Sequence, residues 1–185
     1  MFRTDFEKVS SGAVSKVTFM KKDPLAYFII SMMAGAYIGI GVLLAFTAGG
    51  LLTGLPYAKI VMGLSFGVAL SLVVMAGAEL FTGNNLAMAA GMLDKKVSAA
   101  DAVKLWCLCW AGNLAGAMFL AGIYSLTGLC TGQVGEFMVS AAAAKMGAGA
   151  VALFARGILC NFLVCLAVWC AGRATSDSGK LIMVF

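Results

Sequence analysis

A short polar segment, AELFTGNNL at residues 78–86, lies inside an apolar stretch at residues 60–93. Its polar groups are one carboxylate, one hydroxyl and two carboxamides, from Glu79, Thr82, Asn84 and Asn85. In hydrocarbon such groups are stable only when they are paired or face water, so they can replace hydrogen bonds of a broken helix or line a hydrated path. We therefore expect the Glu79 carboxyl to be neutral or paired.

The interruption permits two interpretations. In the structural one, the span ends near Glu79 and residues 80–93 form an interfacial return. In the functional one, the span is discontinuous, Gly83 adopts a positive φ, and open backbone groups with Thr82 line a permeation path. The residues of the segment alone favour neither interpretation.

The composition is that of an integral membrane protein. Hydrophobic residues make up 62% of the 185 residues and charged residues 11%, and the mean hydropathy is +1.00. A soluble domain with a solvated surface does not reach these values. The six cysteines form no CxxC pair and there is no histidine, so we expect buried apolar cysteines, no metal, no cofactor and no nucleic-acid partner.

The apolar runs predict how the chain is organised. Residues 1–24 have helical periodicity and read as an amphipathic helix on the cytoplasmic membrane face, with a frayed charged tail as the alternative. No cleavable signal is visible in this segment. Residues 25–185 form the transmembrane domain. Its predicted spans are about 25–50, 57–93 broken near 80–85, 105–130, 151–172, and a fifth starting at 181.

The basic residues predict the orientation of the chain. Ten precede span one, join spans two and three, or follow span four: Arg3, Lys8, Lys16, Lys21, Lys22, Lys95, Lys96, Lys104, Arg173 and Lys180. Three belong to the opposite side: Lys59, Lys145 and Arg156. Because basic loops are retained in the cytoplasm, we expect a cytoplasmic N-terminus.

Small residues recur at a spacing that permits close helix packing. Three pairs of glycines lie four residues apart, one pair in each of the first three spans: Gly35 and Gly39, Gly63 and Gly67, and Gly112 and Gly116. Such pairs allow backbones to approach closely. They predict a tightly packed bundle and carry no functional information.

Three motifs identify a family resemblance. GAELFTGNNL at 77–86, GILCNFLVCLAVW at 157–169 and WAGNLAG at 110–116 resemble the formate/nitrite transporter family, and Thr-Gly-Asn-Asn is similar to its bacterial hydrosulfide channel branch. The resemblance implies an all-α, aquaporin-like bundle of inverted three-helix repeats with a broken second span. It also implies a homopentamer in the lipid of the bacterial inner membrane. The Asn-Pro-Ala signature of aquaporins themselves is missing.

The resemblance also implies roles for single residues. The pore constriction would comprise Phe66, Leu70, Leu80 and Phe81, with Thr82 and Asn161 as polar groups facing the substrate and Lys145 attracting anions. Without the family, Phe66 and Leu70 are ordinary helix packing at i, i+4 spacing. Without the family, Asn161 is explained equally well as an interhelical hydrogen bonder, and Lys145 as a loop lysine near the headgroups.

The implied function is a channel for small monovalent anions of weak acids, with hydrosulfide first and formate or nitrite next. A neutral-solute facilitator for water or glycerol is the alternative. A membrane enzyme is disfavoured because the spans offer no histidine pair and no paired carboxylates. The family's central histidine is expected beyond Phe185, so we expect the second repeat to be incomplete in this sequence.

Overall fold

The computed structural model describes residues 2–185 and contains eight α-helices within them. They are α1 (Phe2–Lys22), α2 (Pro24–Leu51), α3 (Ala58–Ala76), α4 (Phe81–Leu93), α5 (Ala99–Leu126), α6 (Gly132–Met146), α7 (Ala150–Arg173) and α8 (Asp177–Val184). The described residues form no strand, so the predicted all-α class is confirmed.

Four of the helices, α2, α3, α5 and α7, are long and apolar enough to cross a bilayer. The chain is therefore a multi-pass membrane protein. Helix α5 begins at Ala99, before the predicted boundary at residue 105, because the Ser98 side chain caps it by accepting a hydrogen bond from the Asp101 N–H at 3.1 Å. Helix α6 was not predicted, since its fifteen residues are too few for a span.

Helix α1 packs on the bundle as an amphipathic helix and is not a frayed tail. Its residues Ala13, Val17 and Met20 are buried in a core that also contains Met88 of α4 and Leu105 of α5. Apolar side chains on one face give a surface helix its packing energy. The periodicity of this segment therefore reflects a real buried face.

Helices α2 and α5 are in backbone contact. A Cβ added at Gly35 would overlap the carbonyl oxygen of Asn113, and one at Gly116 would overlap that of Met32. The close approach predicted from the glycine spacing thus occurs between these two helices. Gly63 differs, since a Cβ there would have no neighbour within 4 Å in the described chain.

One end of the bundle, which we call the α1 end, joins α1 to the α4–α5 connection and to the last turn of α7. The Ser10 hydroxyl donates to Asp94 at 2.6 Å, and Arg173 lies 3.3 Å from Asp5. Lys21 contacts Asp101 at 2.8 Å. The N-terminal helix and these two basic connections therefore share one end, as the charge count required.

The other end, which we call the α6 end, contains the last turns of α2 and the unpredicted helix α6. The rings of Phe46 and Phe137 meet edge to face with centroids 5.9 Å apart. A Cβ at Gly50 would lie 2.7 Å from the Cα of Val134. Helix α6 thus packs directly over the end of α2.

Candidate functional site

The interruption of the second apolar stretch covers residues 77–80, between α3 and α4. It was predicted near 80–85, at Gly83, but Gly83 lies in the first turn of α4. The residue with positive φ is Gly77, at 77°. Glycine adopts this conformation without a Cβ clash, so Gly77 ends α3 and the chain continues extended through Leu80.

The backbone of the interruption is held by the Asn113 carboxamide of α5. Its Oδ1 accepts from the Phe81 N–H at 2.9 Å, and its Nδ2 donates to the Glu79 carbonyl at 2.9 Å. The same Nδ2 donates to the Ser31 carbonyl of α2 at 2.8 Å. One side chain therefore replaces hydrogen bonds that an unbroken helix would make, in a region where unpaired backbone groups are costly.

The Glu79 carboxylate is paired, as expected. Lys16 of α1 donates to its two oxygens at 2.6 and 2.7 Å. The Tyr27 hydroxyl donates to Glu79 at 3.0 Å and the Asn84 amide at 2.9 Å. A charge within an apolar bundle is stable only with such partners. The pair also ties the N-terminal helix to the interruption.

Two cavities meet at Leu80. The larger, of about 620 Å³, lies between α1, α3, α4 and α7 and is lined by Leu70 and Leu80, with Lys8 among its cations. The smaller, of about 460 Å³, lies between α2 and α5, and Leu80 lines it too. The interruption therefore presents one leucine side chain to both spaces.

The structure brings together only some of the predicted constriction residues. Leu70 and Leu80 share the larger cavity, whereas Phe66 and Phe81 are not among the residues lining either cavity. Phe66 is 42% exposed on α3. Phe81 packs against the core formed by α1, α4 and α5. Leu80 and Phe81 are therefore consecutive in sequence, yet the first faces the cavities and the second packs against the core.

The predicted polar residues join α4 to α7. Asn85 donates from Nδ2 to Oδ1 of Asn161 at 2.8 Å, and Asn161 donates from Nδ2 to the Cys165 sulfur at 3.2 Å. The Cys165 thiol in turn contacts the Thr82 carbonyl at 3.6 Å. The Oδ1 of Asn161 is therefore engaged by α4, in accord with the structural interpretation of this residue, while its Nδ2 bonds within α7.

Lys145 lies in the last turn of α6 and is exposed. Its ammonium is 5.6 Å from the centroid of the Phe46 ring, within the range of a cation–π interaction. This places Lys145 at the α6 end, whereas Glu79 is paired with a lysine of α1. The predicted anion-attracting lysine and the interruption therefore belong to different parts of the bundle.

Sequence reasoning missed three residues of the site. Asn113 was quoted only within a motif, and Tyr27 and Cys109 were not singled out. The Cys109 thiol donates to the Glu79 carbonyl at 3.1 Å and accepts from Asn84 at 3.3 Å. An asparagine inside an apolar span is itself a signal of interhelical hydrogen bonding, so Asn113 could have been found.

Comparison with protein families gives one match over nearly the whole chain. The profile described as "Formate/nitrite transporter" matches residues 3–185. The nitrite transporter NirC of Escherichia coli is 40% identical over 187 aligned positions, which cover 100% of this chain and 69% of the relative. The similarity therefore extends across all eight helices.

Two solved structures resemble this chain closely. One, described as "FNT family ion channel", has a TM-score of 0.88 and 35% identity and covers 98% of this chain and 73% of its own. The other, described as "Pentameric formate channel with formate bound", has a TM-score of 0.78 and 31% identity. Its alignment covers 89% of this chain and 66% of its own. These proteins bear the names of transporters and channels.

Proposed function

Because the chain belongs to the formate/nitrite transporter family, we propose that it passes small monovalent anions of weak acids across a membrane. The observation that carries the proposal is the interrupted span. Its backbone is held by Asn113 and its carboxylate by Lys16, and Leu80 faces two cavities. A discontinuous helix beside a cavity is the arrangement in which membrane proteins handle ions.

The chemistry of the narrowing favours weak acids. An anion between leucine side chains loses water, at a cost of many kcal/mol for a bare charge. A weak acid avoids much of that cost if it is protonated before the narrowing. Leu70 and Leu80, which line the larger cavity, would form this apolar step, and Thr82 and Asn161 would supply uncharged polar groups near it.

The preferred anion is a finer part of the proposal. Nitrite is supported by the name of the 40% identical relative, and formate by the name of the pentameric structure. Hydrosulfide is supported by the resemblance of Thr82-Gly83-Asn84-Asn85 to the hydrosulfide branch. All three are anions of weak acids, so a single apolar narrowing can serve each of them.

We extend the proposal to the surroundings of the conduit. The α1 end faces the cytoplasm of a bacterial cell, since most basic residues of the connections belong to it. Lys145 at the α6 end raises the local concentration of anions outside. Five copies assemble, as the name of the pentameric relative suggests. Exposed apolar residues such as Leu159 and Phe162 of α7 would face lipid or a second copy.

The test is a flux assay on the complete protein in liposomes, with nitrite, formate, hydrosulfide, chloride and glycerol measured in parallel. We expect the three weak-acid anions to pass and chloride, the anion of a strong acid, to be excluded. Leu80→Ala should admit chloride, whereas Leu93→Ala, at an exposed leucine that ends the helix following Leu80, should not. Glycerol flux without anion flux, in an intact oligomer, would refute the proposal in favour of a neutral-solute facilitator.

A further inference from the structure

We propose that Asn113 is the positioning residue of the conduit, since its carboxamide fixes the interruption and thereby sets the location of Leu80. The inference rests on the proposed function, because it assigns Leu80 to the narrowing. Asn113 lies on α5 and binds backbone groups of the interruption. This role requires no direct contact between Asn113 and a permeating anion.

The hydrogen bonds of Asn113 reach the backbone on both sides of Leu80. Asn113 accepts from the Phe81 N–H and donates to the Glu79 carbonyl, at 2.9 Å each. These two groups flank Leu80 on both sides. Because the peptide units before and after Leu80 are anchored to one amide, that residue has little freedom to change its φ and ψ.

Asn113 is itself held in place by α2. The Asn113 side chain also donates to the Ser31 carbonyl at 2.8 Å. The backbone carbonyl oxygen of Asn113 packs directly against Gly35. A side chain at Gly35 would overlap that oxygen, so the backbones of α2 and α5 are in direct contact at Asn113. Through Asn113, the interruption is therefore anchored to α2 and α5, the most closely packed helix pair of the bundle.

The other polar groups near the interruption do not duplicate this role. Lys16, Tyr27 and Asn84 bind the Glu79 carboxylate, which is a side-chain group. Cys109 adds a weak thiol donor to the Glu79 carbonyl. Among the described residues, Asn113 alone provides the acceptor for the Phe81 N–H. Loss of the Asn113 side chain should therefore release the Phe81 N–H before the other groups of the interruption.

The experiment compares Asn113→Leu and Asn113→Asp with wild type in the complete protein. The leucine keeps the branched shape, with methyl groups in place of Oδ1 and Nδ2, and removes all three hydrogen bonds. An ionised carboxylate keeps the acceptor for Phe81 but turns a negative oxygen toward two carbonyls. When protonated, it can donate to the Glu79 carbonyl again. The matched control is Thr47→Val, which removes a 3.4 Å hydroxyl contact with Tyr124 between the same two helices.

The first readout is hydrogen exchange at the Phe81 amide. We expect exchange to be faster than wild type by about tenfold or more in Asn113→Leu, since a broken local hydrogen bond lowers protection. Thr47→Val should match wild type. Asn113→Asp should approach wild type as the pH falls. Glu79, Lys16, Tyr27 and Cys109 face the same cluster in every variant, so each variant is compared with wild type at the same pH.

The second readout is the ratio of acetate to formate flux, which reports the width of the narrowing and not the amount of folded protein. It should rise several-fold in Asn113→Leu and return toward wild type at low pH in Asn113→Asp. If Asn113→Leu does not assemble, the pH series of Asn113→Asp decides alone. Wild-type exchange and wild-type flux ratios in both assembled variants would overturn the inference. Absence of anion flux in wild type would defeat the proposed function, while the exchange result would still test the anchor.

Discussion

The two ends of the bundle use their basic residues differently. At the α1 end, Lys16, Lys21 and Arg173 form salt bridges with Glu79, Asp101 and Asp5. At the α6 end, Lys59, Lys145 and Arg156 form no salt bridge with any residue in 2–185. Three cations at the α1 end therefore join helices through acidic partners, whereas the three at the α6 end have no acidic partner among the described residues.

The largest effect should follow from breaking the central pair of the α1 end. In Glu79→Leu, Lys16 loses its partner, and the side chains of Glu79 and Lys16 are only 15% and 31% exposed. Removing one partner of a buried pair costs several kcal/mol, which partial exposure of the lysine reduces to about 1–3 kcal/mol. Thermal unfolding in detergent should show the corresponding loss of stability.

Two comparisons make this result specific. The control is Glu7→Leu, since the Arg3–Glu7 pair at 3.1 Å is exposed and should contribute no more than about 0.5 kcal/mol. Adding Lys16→Met to Glu79→Leu should restore part of the stability, because the unpaired cation is then gone. An equal loss from Glu79→Leu and Glu7→Leu would mean that the two pairs are energetically alike and would contradict a special contribution of the Lys16–Glu79 pair.

A smaller effect, confined to transport, should follow at the α6 end. Lys145→Ser should lower anion uptake by about two- to fivefold at low ionic strength, since the field that concentrates anions is lost. The deficit should shrink in high salt as screening increases. Glycerol uptake should not change, and Lys59→Ser, at another exposed lysine, is the control. Equal losses for anions and glycerol would contradict an electrostatic role.

The smallest effect concerns pH. Hydrogen bonds from Lys96 and Ser10 hold the pKa of the Asp94 carboxyl below its ordinary value. A carboxyl with a lowered pKa in the folded state stabilises the fold above its unfolded pKa, and that stability is lost as pH falls through the folded value. Below about pH 4, the melting temperature of wild type should fall more than that of Asp94→Asn. Identical pH profiles would show that this contact is not coupled to folding.

The sequence was sufficient to predict the features that depend on local composition. The all-α class and the interrupted second stretch follow from hydropathy, which each segment carries by itself. The pairing of Glu79 was also predictable, because an unpaired carboxylate is excluded there. Its partner was not, since Lys16 lies 63 positions away on a helix that docks only in the folded protein.

The site was less predictable because it depends on where α4 begins. Both Gly77 and Gly83 could have ended a helix, and only the packing selects Gly77. A start at Phe81 turns that ring into the core while Leu80 faces the cavities. The hydrogen bonds of Asn113 bring together α2, α5 and the interruption, so no single segment contains the information to predict them.

The contact between Asp5 and Arg173 has a consequence for biosynthesis. The two residues lie at opposite ends of the described chain in sequence but 3.3 Å apart in space, and Arg173 also lies 5.1 Å from the Phe2 ring. A ribosome completes α1 long before it reaches residue 173. The first turn of α1 therefore lacks its Arg173 partner until α7 has left the exit tunnel and entered the bilayer.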